Sequence, residues 1–107
     1  MIARTWHGAV PEDQADAYHE VLLRTGVADY KSTLGNQGVY VMRRVTDGLA
    51  HFLVLTFWDS WDAIRAFAGD DPEHARYYDE DKAYLVELES HVTHYEVLPS
   101  NPDRMDP

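Results

Sequence analysis

A nearly unbroken apolar run, HFLVLTFW, occupies residues 51–58. The run is too short to cross a membrane as a helix, and its β-branched and aromatic side chains are typical of strands. Side chains alternate between the two faces of a strand, and in this run both alternating sets are mainly apolar. The run therefore predicts a strand that is buried on both faces, with a layer of structure against each face.

An amphipathic helix follows this strand directly. Trp61, Ile64 and Phe67 recur at helical spacing, and Ser60 stands where its hydroxyl can cap the first turn. A strand that leads straight into a helix of this kind belongs to a layered α+β domain, because the apolar face of the helix must pack against a sheet.

Alternation and turn signals predict the remaining elements: strands at 2–10, 39–45 and 91–98, and a helix over 11–33. Gly26 is expected to interrupt that helix. Asp47 and Gly48 form an Asp-Gly turn, which predicts an antiparallel hairpin between the second strand and the central strand. The order β-α-β-β-α-β predicts an α+β, ferredoxin-like fold with an antiparallel four-stranded sheet.

The stretch between the second helix and the last strand is the least regular part of the pattern. Asp71 is placed to cap, and Pro72 to begin, a short helix over 73–78 (EHARYY). The charged sequence DEDK that follows predicts a solvated segment. Residues 83–89 fit either a helical turn or a short extended piece.

A four-stranded sheet has two faces, and the predicted helices cover only one of them. Because the central strand is apolar on both faces, the second face must meet another surface, and a second copy of the chain is the simplest one. The pattern therefore predicts a homodimer whose two sheets close into a barrel. Trp6 is assigned to this dimer face. Thr5 and His7 then lie on a small, polar face, which either leaves open space under the helices or is the solvated face of an edge strand.

Length and composition narrow the function. The chain has 107 residues, no cysteine and a formal net charge of −10. One domain is expected over 1–98, with a flexible tail at 99–107. The lack of cysteine excludes a disulfide framework and a site that needs a thiolate. The excess of acidic residues leaves no basic face of the kind that nucleic-acid binding requires. No signal peptide or membrane-spanning stretch is visible, so a cytoplasmic protein without nucleic-acid or membrane partners is expected.

The run FWDSWDAIRAFAGDDPEHARYY, at 57–78, resembles the antibiotic biosynthesis monooxygenase family: a strand ends in a tryptophan, a serine opens the next helix, and a histidine- and tyrosine-bearing segment follows. With the order of elements, the resemblance covers about residues 1–98. It implies a dimeric α+β barrel with one pocket per subunit between the sheet and its helices. Family members include cofactor-independent monooxygenases that oxidise polycyclic aromatic polyketides, haem-degrading proteins and proteins without an established reaction.

The haem-degrading branch of that family uses an asparagine on the first strand, a tryptophan on the helix after the third strand and an axial histidine just beyond. The asparagine position falls near Thr5. Aligned from Trp58 onward, the tryptophan position falls on Phe67 and the histidine position near Tyr77, with His74 one turn earlier. None of the three residue types matches. Haem is therefore the less favoured alternative to a protein without a cofactor.

Histidines are the first candidates for acid–base chemistry because their ordinary pKa is close to neutrality. No HExxH or other metal spacing occurs, and GxGxxG, P-loop and GxSxG motifs are absent, so neither a metal nor a nucleotide cofactor is predicted. A cofactor-free oxygenase needs a base that forms a phenolate or enolate, and a dry pocket for that anion. His7 and His74 are the predicted catalytic residues, with His51 as a further candidate.

The predicted substrate-binding residues are polar or aromatic side chains of the first strand and of the region around the second helix: Thr5, Trp58, Trp61, Phe67, Tyr77 and Tyr78. The leading function is a cofactor-independent monooxygenase that oxidises an aromatic or polyketide-like small molecule with dioxygen. The first alternative is a non-catalytic ligand-binding, accessory or cyclase-like protein on the same fold. The second is a haem-binding or haem-degrading protein.

Overall fold

The computed structural model describes residues 1–99, which form one antiparallel sheet with helices against one face. In chain order the elements are β1 (Ile2–Pro11), α1 (Ala15–Arg24), α2 (Gly26–Ser32), β2 (Asn36–Thr46), β3 (Leu49–Trp58), α3 (Trp61–Ala68), β4 (Glu87–Leu88) and β5 (Thr93–Glu96). Short 3-10 helices occupy Glu12–Gln14 and Asp79–Ala83.

The strand order across the sheet is β2-β3-β1, and both β4 and β5 pair with the other edge of β1. The ferredoxin-like α+β prediction is confirmed. The predicted fourth strand is divided, however: β5 pairs with the first half of β1 and β4 with its second half, so the sheet has five strands. The tail predicted at 99–107 lies, from residue 100 onward, outside the described residues.

Local signals placed the turns and caps correctly. Asp47 and Gly48 have φ values of 52° and 77°, as a tight hairpin turn requires, and they join β2 to β3. The side chain of Ser60 accepts a hydrogen bond from the backbone nitrogen of Ala63 at 3.2 Å and so caps α3. The predicted first helix is two helices, because the chain bends at Thr25, next to the predicted break.

The short helix predicted at 73–78 is wrong. Asp71 does cap a turn, since its side chain accepts from the backbone nitrogen of Glu73, but the chain then runs extended. The backbone nitrogens of Ala75 and Val92 donate to the carbonyls of Ser90 and Glu73 at 2.9 and 2.8 Å. Pairing with residues 90–92 therefore satisfies backbone groups that a helix would have used internally.

The DEDK sequence is also more ordered than predicted. It forms most of the 3-10 helix Asp79–Ala83, and Asp81 within it is only 3% exposed. The side chain and backbone nitrogen of Asp81 both bond to Tyr78, in the manner of a capping box. A segment predicted to be solvated thus carries a buried carboxylate.

The assignment of Trp6 to the dimer face is wrong as well. Trp6 is 5% exposed and lies in the core beneath the helices, on the same side of β1 as Val10. Thr5 and His7 alternate with it and therefore lie on the face without helices. The predicted alternation in β1 is confirmed. Alternation alone does not indicate which of the two faces of a strand meets the helices.

The sheet therefore has one covered face and one open face. The covered face holds most of the core, including Phe52, Val54 and Trp58 of β3. The open face, defined here by the outward side chains of β1, β2 and β3, exposes Tyr40, Met42 and Leu53 by 57%, 43% and 37%. No helix among the described residues is long and apolar enough to span a membrane.

Candidate functional site

A buried arginine lies at the centre of the covered face. Arg4 of β1 is 1% exposed, and its guanidinium donates to the hydroxyl of Tyr30 at 3.2 Å and to the carbonyl of His74 at 3.4 Å. It also stacks over the ring of Phe67, at 5.4 Å. Burial lowers the pKa of Arg4 below its usual value. Within residues 1–99 its Nε has no hydrogen-bond partner and no carboxylate forms an ion pair with it.

A second arginine closes the same region from the outside. Arg76 lies 4.9 Å from the ring centre of Phe67 and 5.0 Å from that of Tyr78. It forms an ion pair with Asp29 of α2 at 3.4 Å and donates to the carbonyl of Phe67 at 2.9 Å. The hydroxyl of Tyr78 donates to Asp29 at 2.5 Å. Arg76 and Tyr78 therefore attach the segment after α3 to α2 through one carboxylate.

Asp81 is the buried acid of this region. Its carboxylate accepts from the hydroxyl of Tyr18 at 2.9 Å and from the backbone nitrogen of Tyr78 at 2.7 Å. Burial, with the nearby carboxylate, raises the pKa of Tyr18 far above its usual value, so that hydroxyl remains a donor. These two hydrogen bonds, one to each oxygen, fix the position of the carboxylate.

A small cavity lies beside these groups; Arg4 does not line it and approaches it through its hydrogen bond to Tyr30. Its volume is about 20 Å³, which is room for one water molecule. Trp6, Tyr30 and Val54 form its apolar wall, and Arg76 and Asp81 are charged groups at its edge. The resemblance implied a pocket in this place, and a cavity is there, but in this conformation it is too small for an aromatic substrate.

Two of the predicted aromatic walls are buried beside this cavity. Phe67 stacks on Tyr30 with ring centres 4.3 Å apart, under both arginines. Trp58 is completely buried, and its indole nitrogen donates to the hydroxyl of Thr56 at 2.8 Å. Phe67 therefore supports the charged groups of the site, whereas Trp58 packs behind it in the core.

The third predicted wall, Trp61, lies elsewhere. It is 41% exposed, and its ring centre is 4.8 Å from that of His94 on β5. The structure therefore separates Trp61 from the cavity. His94 has a buried Nε2 without a hydrogen-bond partner among residues 1–99.

His94 makes the stability depend on pH. Burial, and secondarily the charge of Arg4, lower its pKa below the usual 6.5, although Glu73 opposes the shift. The unfolded chain therefore takes up a proton at a higher pH than the folded one does, so stability is complete above pH 6.5 and falls below it. We expect the melting temperature to drop between about pH 7 and pH 5, and to drop less in His94→Asn. An equal drop in both proteins would contradict this assignment, and His19→Gln is the control.

Tyr77 and Tyr78 play different roles although they are neighbours. The hydroxyl of Tyr77 donates to the carbonyl of Glu89 and accepts from its backbone nitrogen, and its ring packs on Trp6. Tyr78 lines the cavity. Tyr77 therefore holds the chain before β5 in place, while Tyr78 belongs to the candidate site.

The three predicted histidines do not meet at one site. His7 and His51 meet on the open face, where Nε2 of His7 lies 3.0 Å from Nδ1 of His51. The side chain of His74 is 64% exposed and pairs with Asp71 at 3.4 Å. Its carbonyl accepts from Arg4, so His74 lies near the covered side of the sheet. Thr5, on the open face, donates to the carbonyl of Thr93 at 3.4 Å.

The cavity offers a poor fit for haem. Its lining includes no histidine, and the imidazole of His74, the nearest match to the axial position, is paired with Asp71 outside it. A porphyrin also requires a volume far larger than one water molecule. The residues present therefore do not fit haem in this conformation.

Several groups of the site were not predicted from the sequence: Arg4, Tyr18, Tyr30, Arg76 and Asp81. A weak signal existed for Arg4, because it alternates with Ile2 and Trp6 on a face otherwise made of large apolar residues. A charged side chain at such a position is rarely buried unless a partner pairs with it, so Arg4 stood out. For the other four residues the local sequence pattern did not indicate a role in the site, because their contacts join residues that are far apart in sequence.

No family model and no curated protein matches the chain. Solved structures do match. A candidate antibiotic biosynthesis monooxygenase from Nitrosomonas europaea has a TM-score of 0.67 at 15% identity, over 92% of this chain and 99% of that one. A second, from Bacillus cereus, has a TM-score of 0.63 at 16% identity, over 94% and 95%.

The haem degrader MhuD of Mycobacterium tuberculosis, with two haems bound in its active site, matches with a TM-score of 0.62 at 15% identity, over 94% of this chain and 99% of that one. Similarity at these identities concerns the arrangement of the chain and carries no residue of a site with it. The protein therefore has the α+β, ferredoxin-like fold that these solved structures share.

Proposed function

We propose that the protein is a cofactor-independent monooxygenase that oxidises an electron-rich aromatic small molecule with dioxygen, in the space between the sheet and the helices. The proposal rests above all on Arg4, a buried cation that no carboxylate of residues 1–99 neutralises. An uncompensated buried charge is costly, and an anionic substrate would compensate it. The fold shared with two candidate antibiotic biosynthesis monooxygenases supports the same function.

The reaction needs a substrate that can itself give an electron to dioxygen, such as an anthrone. A base removes one proton from the methylene carbon, the enolate passes one electron to dioxygen, and the two radicals combine in a carbon–oxygen bond. Loss of water then leaves a carbonyl, so that one CH₂ group and one O₂ become one C=O group and one H₂O. The protein supplies the base, a positive charge for the enolate and shelter from bulk water.

Two charged groups that line the cavity, Asp81 and Arg76, match these needs together with Arg4, which donates to Tyr30 of the lining. Asp81 is the carboxylate at the cavity wall, and we assign it the role of base. Arg4 and Arg76, which both lie close to the ring of Phe67, supply the positive charge. The side chains of His7 and His74 lie outside the cavity lining, so their predicted catalytic role is tested against Asp81 in the same assay.

An aromatic substrate enters only if the cavity enlarges. The segment between α3 and β4 contains a single short 3-10 helix as regular structure, and it contacts α2 through the side chains of Arg76 and Tyr78, which share Asp29. Because these contacts are side-chain contacts at the protein surface, a ligand can replace them at small cost. We assign the substrate entrance to this contact between α2 and the segment after α3.

Oxygen uptake with an anthrone or a hydroquinone tests the proposal. The purified protein should consume dioxygen without added cofactor. Arg4→Met removes the charge at similar length and is expected to lower kcat/KM by about 100-fold or more, whereas Arg4→Lys should retain part of it. Asp81→Asn should lower kcat by a similar factor. Arg65→Lys, at an exposed arginine that pairs with Asp62, is the control.

Other results of these assays would favour a different base or one of the alternative functions. Full activity in Arg4→Met would contradict the proposal, and loss of activity in His7→Gln or His74→Gln but not in Asp81→Asn would return the role of base to a histidine. Tight ligand binding without oxygen uptake would indicate the accessory or cyclase-like alternative. A Soret band in the purified protein would indicate haem. Circular dichroism of every variant separates loss of activity from loss of fold.

We also propose that the protein is a homodimer that buries the open face. That face exposes Tyr40, Met42 and Leu53, and the outward side chains of Leu55 and Phe57 on β3 extend the same surface. A contiguous apolar surface of this kind is unusual for a monomer. A face-to-face pair of sheets is self-complementary under a two-fold axis, and the resemblance to a family of dimeric barrels supports the same assembly.

A further inference from the structure

Three potential metal ligands meet on the open face: His7, His51 and Glu87. In the sheet register, Ala9 of β1 pairs with His51 on one side and with Glu87 on the other. His7 stands two residues before Ala9 and therefore on the same face. Because Ala9 is small, the three larger side chains can approach one another above it.

The distances between these side chains suit a common ion. One potential ligand atom from each residue lies within 4.8 Å of the other two, and Nε2 of His7 is 3.0 Å from Nδ1 of His51. Tetrahedral zinc with Zn–N bonds of about 2.0–2.1 Å needs its nitrogen ligands about 3.3 Å apart. The two imidazoles are therefore already close to the separation that zinc requires.

A fourth residue orients the first imidazole. Nδ1 of His7 lies 3.0 Å from Oε1 of Glu89, and a carboxylate can only accept, so Nδ1 carries the proton. The lone pair of neutral His7 is then on Nε2, the atom that faces His51. Tyr77 holds Glu89 by both backbone groups. Metal-binding histidines are typically supported by a carboxylate in this way.

Local charge is compatible with a cation. Glu87 and Glu89 bring two carboxylates to one side of the imidazole pair, whereas Arg44 stands opposite His51 on β2. Without a metal, Nδ1 of His51 donates to Nε2 of His7. Metal binding has to replace this hydrogen bond, and His51 then carries its proton on Nε2 instead.

We propose that His7, His51 and Glu87 bind one divalent transition-metal ion, with Glu89 as the support of His7. Two imidazoles and one carboxylate suit zinc, cobalt or iron, and three protein ligands leave one position open. An open groove of about 430 Å³, lined in part by Met42, Arg44 and Leu53, borders the two histidines. In a free chain a small molecule in that groove can reach the open position, whereas in the proposed homodimer the groove faces the sheet of the second copy.

This inference is independent of the proposed monooxygenase. The metal ligands lie on the open face of the sheet, while Arg4 and Asp81 lie beneath the helices on the other face. Failure of one proposal therefore leaves the other intact. If the open face pairs with a second copy, the ion lies inside the barrel, so the oligomeric state is recorded in every measurement.

Zinc titration of the full-length, untagged protein by calorimetry tests the site, with cobalt absorption as a second readout of coordination. We expect one zinc per chain. His51→Gln and His7→Gln should each weaken binding by more than about 100-fold, and Glu89→Gln by about 10- to 100-fold. His74→Gln, in the exposed pair that His74 forms with His91, is the matched control and should bind like the parent protein.

The proposal fails if the parent protein does not bind zinc, or if His51→Gln binds it with unchanged affinity. It also fails if His74→Gln abolishes binding, because the ion would then occupy the other histidine pair. Cobalt absorption of the intense, tetrahedral kind in the parent protein and its loss in His51→Gln would support the assigned ligands. Circular dichroism confirms that each variant is folded.

Discussion

Leu53→Asp is expected to convert the proposed homodimer into a monomer. Leu53 lies on β3, between Met42 of β2 and His7 of β1 in the sheet register, so it is central to the open face. An unpaired carboxylate buried in an interface costs about 3–5 kcal/mol, and a two-fold axis places the substitution in the interface twice. We expect the dissociation constant to rise by at least about 100-fold, as measured by analytical ultracentrifugation.

Leu23→Asp is the matched control for this experiment. Leu23 is a leucine of similar exposure, 42%, but it lies on α1, away from the open face. The Leu23→Asp substitution should leave the mass of the oligomer unchanged. A parent protein that is monomeric at micromolar concentration, or an unchanged dimer in Leu53→Asp, would contradict the proposed assembly and the barrel with it.

Trp58→Ala is expected to lower the free energy of unfolding by about 3–5 kcal/mol. Trp58 is completely buried and packs against Tyr30 and Phe67, with ring centres at 6.1 and 5.9 Å. Its removal leaves a cavity at the junction of β3, α2 and α3, and Thr56 loses the donor to its hydroxyl. Urea denaturation at fixed protein concentration measures the change.

Trp61→Ala provides the comparison, because both tryptophans were predicted to bind substrate. Trp61 is 41% exposed, and its loss should reduce stability by about 1 kcal/mol or less. Equal destabilisation by the two substitutions would show that the core does not depend on Trp58 in the way argued above. A large effect of Trp61→Ala on ligand binding alone would return it to the candidate site.

Short-range patterns in the chain were enough to predict much of the fold. The strand at 51–58, the Asp47-Gly48 turn and the cap at Ser60 each depend on neighbours within a few residues, and each was predicted correctly. Burial of that strand on both faces stays a prediction, because residues 1–99 leave its second face open. The order of strands and helices followed from them. Periodicity also separated the residues of β1 into two correct sets.

The tertiary structure alone decided which of those sets meets the helices, and this reversed the positions of Trp6 and His7. It also turned the predicted helix at 73–78 into an extended segment, buried Asp81, and brought His7 to within 3.0 Å of His51. Each of these outcomes depends on partners from distant parts of the chain. The periodicity of a segment shows which of its residues share a face. Burial, cavity volume and ligand geometry depend instead on what the folded chain packs against that face.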